Sequence, residues 1–440
     1  MNNQDAITSH AGVFVQARGD QYPPMQVSAA PLQQNPVIDR PSAIPQQGLP
    51  AKAYTSAQYL EWERQTVFYH HWICVGLASD VSQPGDAYPT EVAGIPIILI
   101  RDGRRSPQSD ISSSSAPSGP LRAFHNVCSH RGLQLVDRPC NVQGKLRCPY
   151  HSWTYRFDGT LKGTPHFGGY HQDGYSGFDR DRNGLKPIRC EQWLDLVFVN
   201  LSGDAPPLAD YLKPVTERWS SYNLSLLRRE SREVNLQCQA NWKLAVENFS
   251  ESYHLSWVHP ALNSCSRMED HFGFEVGDIH VGQGSLLYQR GVLEHRSLPT
   301  FPDLDKAGKQ TVAEYVTLFP NLMLGVHPDY FLVFIVNPIA PDRSTERMVF
   351  YFVGEDAMTP NNQALRYLPI DLWIETNDED IHMIERLQVG RRSPVFEGGC
   401  FSPQLEQTVY RFQQQIAQAV NGRARAQPAV ASTGHDTLRA

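Results

Sequence analysis

The sequence predicts an α+β fold in two domains, and three observations carry that prediction. The first half is a series of short apolar, strand-like runs broken by turn residues. The second half combines further strand-like runs with two amphipathic helical stretches near its C-terminal end. A Pro206-Pro207 pair lies between the halves, and 440 residues are enough for two full cores.

In chain order, residues 1–50 read as a flexible arm. Pro23, Pro24, Pro31, Pro36, Pro41, Pro45 and Pro50 recur too often for a helix, among Gln, Ala and Ser. Residues 51–205 form the first domain. It opens with a helix whose capping box is Thr55-x-x-Gln58 and whose apolar positions are Tyr59, Leu60, Trp62, Val67, Phe68 and Trp72. Strands follow at 93–101 and 121–127, separated by a Ser-rich insert at 103–119 that reads as a long exposed hairpin loop. The second strand delivers Cys128, Arg147 leads into a second loop, and 195–201 is the closing strand. Residues 206–420 form the second domain, with strands at 315–318, 331–336 and 348–353 and helices at 371–388 and 403–420. The tail, 421–440, is polar and reads as flexible.

Composition excludes several classes. A formal charge of −7 gives no footing for nucleic acid. No apolar run approaches the length needed to span a bilayer, so no membrane association is expected. Eight scattered cysteines form no disulfide framework, which fits a reducing compartment. The N-terminus lacks a charged-then-apolar signal pattern, and the expected location is the cytoplasm.

The chemistry begins at residues 128–151. Cys128-x-His130 is followed by seventeen residues and then Cys148-x-x-His151. Two thiolates and two imidazoles can hold a Rieske-type [2Fe–2S] cluster, cysteines on one iron and histidines on the other. Neutral imidazoles leave such a cluster less negative than four thiolates would, which raises its potential. Tetrahedral zinc is the competing reading, but zinc pairs usually group like ligands, and C-x-H is tighter than that pattern. Gly132, after the first pair, lets loop backbone come close to bridging sulfides, where amides tune the potential.

Residues 241–260 read NWKLAVENFSESYHLSWVHP. Glu251 and His254 share a face if this stretch is helical, whereas His254 and His259 do so only if the helix distorts or ends, as Pro260 suggests. Two histidines and a carboxylate make the facial triad of non-haem Fe(II) oxygenases. Read alone, these are also compatible with ordinary core or surface histidines beside an acidic residue.

Together, residues 128–151 with Arg131-Gly132 and Ser152-Trp153, and the Glu247-Asn248-Phe249-x-Glu251-x-Tyr253-His254-x4-His259 stretch, resemble the α subunit of Rieske non-haem iron oxygenases. The resemblance runs over most of residues 53–420. It implies an all-β Rieske [2Fe–2S] domain joined to a helix-grip, START-like catalytic domain with an antiparallel sheet. It also implies that the third iron ligand is an Asp on a late helix. Asp380 fits that position, with Asp378 as competitor and Glu379 as a weaker one. Most ring dioxygenases of the family have Asp where this chain has Glu251. Glu there resembles the branch acting on choline, glycine betaine, carnitine and stachydrine. The resemblance gives that carboxylate a bridging role between His254 and His151 of a neighbouring subunit in an α3 trimer.

The expected activity is that of a terminal oxygenase which uses O2 to hydroxylate a C–H bond, by preference in N-demethylation of a quaternary ammonium or betaine substrate. The chain has no Gly-rich dinucleotide turn, Gly282-Gln283-Gly284 being too isolated. Electrons from NAD(P)H must then come through a separate flavin or iron–sulfur reductase. Two other functions compete: an aromatic-ring or aryl-carboxylate hydroxylase, and a non-enzymatic Rieske electron carrier. A cationic substrate calls for aromatic faces, and Trp257, Phe319, Tyr330 and Phe331 are aromatics of the second half that equally suit a core. An aromatic acid calls for an apolar slot ending in Arg.

Overall fold

The computed structural model describes residues 46–103 and 119–424. Most of the predicted arm, the Ser-rich insert and the predicted tail beyond 424 lie outside the described residues. The described end of the arm is held in place: Gln46–Gln47 pairs antiparallel with Cys400–Phe401, and the Leu49 N–H donates to Gln413 Oε1 at 2.7 Å.

The N-terminal helical segment differs from the sequence reading in its cap. Lys52–Thr55 forms a first short helix, in which the Thr55 hydroxyl donates to the Ala51 carbonyl. Thr55 is therefore spent as the end of that turn. Ser56 instead caps Ala57–Glu63, accepting from the Tyr59 N–H at 3.3 Å. A wider π turn at Arg64–Phe68 ends the helical run, leaving Trp72 beyond it, buried at the head of the first strand.

Beyond these helical turns, the strands of the first half pair antiparallel throughout. Its seven strands lie in the order Ile73–Leu77, Leu196–Asn200, Pro187–Trp193, Leu121–His125, Ile95–Arg101, Asp86–Val92, Cys140–Asn141. Ile97 to Ile100 are all buried, as a strand covered on both faces requires. A separate three-stranded sheet, Leu146–Arg147, Thr154–Tyr155 and Leu161–Gly163, carries the second Cys-His loop.

The second half is built on an eight-stranded antiparallel sheet. Its main path runs Leu227–Arg229, Arg343–Val353, Tyr330–Ala340, Leu322–Val326, Ala313–Leu318, His280–Ser285, His271–Val276. Val234–Cys238 adds to the same edge of Arg343–Val353 as Leu227–Arg229. The Gln363–Gly390 helix starts earlier than the sequence suggests and runs through Pro369. Burial of Leu365, Pro369, Ile370 and Trp373 outweighs the hydrogen bond that proline removes. The last helix, Gln407–Ala424, starts four residues later than expected, as 403–406 are spent on its approach.

Apolar packing runs across the two halves. Trp72, Cys74, Leu77, Leu196 and Phe198 share one cluster with Val316, Leu318, Phe331 and Tyr351. Asn321 ties the first sheet's edge strand to the second half, accepting from the Cys74 N–H at 3.1 Å and donating to its carbonyl at 2.9 Å. Arg347 grips Asp80 with two bonds, of 2.6 and 2.8 Å.

Lys243 Nζ and Glu63 Oε1 make a fully buried ion pair of 2.7 Å between the N-terminal helix and the Trp242–Phe249 helix. The Trp242 indole N–H adds a bond to the same carboxylate at 3.1 Å. Removing one partner leaves the other charge buried and unpaired. Glu63→Ala is expected to cost about 3–5 kcal/mol of stability, measured by denaturant unfolding, whereas a surface change such as Glu217→Ala should cost about 0.5 kcal/mol or less.

Candidate active site

The two Cys-His loops share one backbone plan. The Cys128 N–H donates to the Leu133 carbonyl at 2.8 Å, and the Gly132 N–H returns to the Cys128 carbonyl at 2.9 Å. In the second loop the Cys148 N–H donates to the Trp153 carbonyl at 2.8 Å, and the Ser152 N–H returns to Cys148 at 3.0 Å. The returning residue turns left-handed in both, Gly132 at φ +75° and Ser152 at φ +58°. Gly132 meets that requirement without strain.

Both thiols are buried in one apolar cluster with Trp153, Tyr155 and Phe157, while the histidines stand at its edge. The His130 and His151 rings are 4.6 Å apart at their centroids, and Trp153 stacks on His130 at 4.7 Å. His130 Nδ1 is buried without a hydrogen-bond partner. Such an atom carries a desolvation cost unless a ligand takes it, so the donor set fits a metal cluster. Burial first, then the neighbouring His151 and Arg131, lowers the His130 pKa, favouring the neutral form that binds metal.

The Tyr155 hydroxyl lies 3.2 Å from Cys128 Sγ and accepts from the Ser129 N–H at 3.1 Å. A hydroxyl donating to a ligating thiolate stabilises the reduced cluster, where sulfur is more negative. Tyr155→Phe should lower the reduction potential. A bond of about 1 kcal/mol corresponds to roughly 40 mV for one electron, read by spectroelectrochemical titration.

In the second half, His254, His259 and Asp380 come together, each offering one ligand atom within 4.8 Å of the others. Asp380 Oδ1 is 2.8 Å from His259 Nε2 and 3.5 Å from His254 Nε2. Each histidine's other nitrogen is held by a glutamate: His254 Nδ1 by Glu251 at 2.5 Å, and His259 Nδ1 by Glu379 at 2.7 Å. Carboxylates placed this way orient the rings and make the free Nε2 atoms more basic. Asn248 donates to Asp380 Oδ1 at 2.9 Å. Burial works against charging both histidines, but the carboxylates outweigh it and raise both pKa values. A divalent cation is the natural partner of so acidic a set.

The local backbone differs from the helical reading. The Trp242–Phe249 helix stops at Ser250, and Glu251 lies in the following loop. There its carboxylate accepts from the Tyr253 N–H and, at 3.3 Å, from the His254 N–H, capping the turn that leads to Leu255–Val258. Gln283 fixes the loop from the sheet, donating to the Phe249 and Glu251 carbonyls at 2.9 Å each. His259 falls between two short helices, at φ −120°. That break swings it round to face the same centre as His254. Of the other carboxylates considered, Asp378 is exposed and Glu379 serves as partner of His259.

The cluster opens into a pocket lined by Phe249, Leu255, Leu262, His271, Tyr315 and Trp373. No Arg or Lys is among the described residues lining it. Trp373, Thr376 and Asp380 share one helix face at i, i+3 and i+7, a pattern that could have marked Trp373 from the sequence. Tyr315 comes from a strand, and only the sheet register places it there. The aromatics considered earlier lie elsewhere: Trp257 is 80% exposed, while Phe319, Tyr330 and Phe331 are core.

Residues 71–172, which contain both Cys-His loops, match the Rieske [2Fe-2S] domain family. Residues 225–422, which contain His254, His259 and Asp380, match the catalytic domain of the ring hydroxylating alpha subunit family. The chain is a Rieske non-haem iron oxygenase. Among curated proteins, this oxygenase is 26% identical over 355 residues to the carnitine monooxygenase oxygenase subunit of Acinetobacter pittii, covering 79% of this chain and 86% of the relative. It is 26% identical over 402 residues to the glycine betaine monooxygenase oxygenase subunit of Chromohalobacter salexigens, covering 83% and 84%. In fold it is similar to the crystal structure of the quaternary ammonium Rieske monooxygenase CntA, with a TM-score of 0.68 at 24% identity over 85% of this chain and 95% of that one. The oxygenase family implies a Rieske cluster and a mononuclear iron, and the two donor sets above fit those groups. Among the described residues, no helix is long and apolar enough to cross a membrane.

Proposed function

We propose that this oxygenase hydroxylates an N-methyl C–H bond of a quaternary ammonium or betaine substrate, whose carbinolamine product falls apart to formaldehyde and the demethylated amine. The observation that carries this reading is the pocket beside His254, His259 and Asp380. It presents Phe249, Tyr315 and Trp373, so it offers π faces to a cation, and among the described residues lining it there is no Arg or Lys to meet an aromatic acid. Two further supports are Glu251 in place of Asp and the names of the relatives described above.

In this reading Cys128, Cys148, His130 and His151 hold the [2Fe–2S] cluster, and His254, His259 and Asp380 hold the mononuclear iron. The cluster supplies electrons from a separate NAD(P)H-dependent flavin or iron–sulfur reductase, and the iron supplies O2 activation. The chain's own residues do the rest. Glu251 and Glu379 keep the Nε2 lone pairs of His254 and His259 on the metal side. Asn248 holds Asp380 in one orientation. Leu255, Leu262 and the aromatic faces keep water from the reacting carbon. Glu251 also bridges to His151 of a neighbouring subunit in a homotrimer. A cytoplasmic setting accords with eight cysteines that are all free.

A single turnover tests the substrate. The purified protein is reduced chemically, given O2 with choline, glycine betaine, carnitine or stachydrine, and assayed for formaldehyde. Formaldehyde with one of these is the expected outcome. Its absence, from protein with a full iron complement, overturns the N-demethylation reading and turns the search to aromatic acids.

A further inference from the structure

Trp373 lines the metal pocket on the same face of the long helix as Asp380, but the group that holds its one polar atom lies outside that pocket. The indole Nε1–H donates at 2.8 Å to the Tyr330 hydroxyl, which lies 3.0 Å from the Tyr288 hydroxyl. An indole N–H can only donate, so the Tyr330 oxygen accepts, and the Tyr330 hydrogen finds its partner in the Tyr288 oxygen. Trp373, Tyr330 and Tyr288 thus form a chain of donors running from the pocket wall into the core.

Three separate elements supply this chain. Trp373 comes from the long helix, and Tyr288 from the connection between the His280–Ser285 and Ala313–Leu318 strands. Tyr330 opens the Tyr330–Ala340 strand. Tyr330, Leu332 and Phe334 of that strand pack in one cluster with Trp373 and Tyr315, whereas Phe331, Val333 and Ile335 pack in the other, so Tyr330 is on the pocket side of the sheet. His327 lies flat on Tyr330, with ring centroids 4.0 Å apart and 13° between planes, and stands edge-on to Tyr288 at 4.5 Å. Tyr315 and Phe334 meet the Trp373 indole edge-on at 5.8 and 6.2 Å, contacts that leave its polar atom to Tyr330.

We infer that Tyr330 is a positioning residue for substrate charge, acting through Trp373. Its hydroxyl fixes the rotation of the indole and, by accepting from the N–H, shifts electron density into the ring that faces the pocket. Donation by Tyr330 to Tyr288 makes the Tyr330 oxygen a better acceptor, because hydrogen bonds in a chain polarise one another. A cation over an aromatic face is attracted by the ring's quadrupole, and a more electron-rich indole attracts it more strongly. Tyr330 thereby raises the preference for a trimethylammonium group over a neutral group of the same shape, from a place that touches no substrate. This role rests on the proposed quaternary ammonium substrate and identifies what makes the pocket select charge.

The test is calorimetric binding to the full-length protein without O2, so that no turnover occurs. Two pairs of probes differ only in the central atom of the head group: glycine betaine against 3,3-dimethylbutanoate, and choline against 3,3-dimethylbutan-1-ol. The wild-type protein should bind the ammonium member of at least one pair more tightly. Tyr330→Phe keeps the ring and its stack on His327 but removes the hydroxyl, and should lower that preference about fivefold, with the neutral member bound as before. A general loosening of the pocket would instead weaken both members alike. Tyr288→Phe should lower the preference in the same direction, about twofold, and stands in for Tyr330→Phe if that variant does not fold. In a Trp373→Phe background Tyr330→Phe should have no further effect, because the tyrosine acts through the indole. An unchanged preference in Tyr330→Phe, or in Tyr288→Phe where it stands in, overturns the positioning role, as does a full effect in the Trp373→Phe background. Wild-type protein with no preference in either pair overturns the quaternary ammonium reading as well.

Discussion

Asp380→Ala is expected to keep the visible spectrum of the [2Fe–2S] cluster, lose the mononuclear iron and reduce turnover to background. Asp380 is the carboxylate whose oxygen lies 2.8 Å from His259 Nε2 and 3.5 Å from His254 Nε2, so it completes the three-donor group with those histidines. Without it two neutral imidazoles remain, and the site loses the anionic oxygen that suits a hard divalent ion. Because the cluster loops lie in a separate apolar cluster, their absorption should not change. Asp378→Ala is the control. Asp378 is exposed on the other side of the helix, and its loss should leave iron content and rate unaltered. Iron analysis of both variants decides the matter: iron lost from Asp378→Ala and kept by Asp380→Ala would reverse the ligand assignment.

Glu251→Ala should retain both metals when iron is saturating but turn over about 10–100-fold more slowly. Glu251 binds His254 Nδ1 at 2.5 Å and caps the turn that carries that histidine, so its loss frees the ring to rotate and to change tautomer. Glu251→Gln separates the two parts of this effect. The amide keeps the side chain's length and one acceptor oxygen but removes the charge that favours the Nδ1–H tautomer. An intermediate rate is expected, measured by single turnover beside the cluster's reoxidation. Near-normal turnover of Glu251→Ala would dismiss both the orienting role and the proposed bridge to a neighbouring subunit.

The cluster loops were legible because every donor lies within a short stretch and the chemistry allows few alternatives. Cys128-x-His130 and Cys148-x-x-His151 needed no knowledge of distant contacts, and the structure shows each loop closing on its own backbone. The His254 and His259 pair was legible as a motif, but its geometry was not. Glu251 looked like a helix neighbour of His254, whereas the helix ends at Ser250 and the carboxylate reaches the ring from a capped turn. The N-terminal cap moved from Thr55 to Ser56 for a similar local reason: a preceding short helix had already used Thr55.

By itself, the sequence determined which atoms could bind metal, in what order they occur, and that the chain divides into a strand-rich first half and a mixed second half. These follow from residue chemistry and short-range periodicity. Only the tertiary structure decided which carboxylate joins the histidines and what surrounds them. Asp380 meets His259 across 121 residues of chain, Glu379 turns to the ring's other nitrogen, and Tyr315 enters the pocket from the sheet. The phase of one long helix and the register of antiparallel strands set these meetings. A shift of one residue in either would turn Asp380 or Tyr315 away from the site.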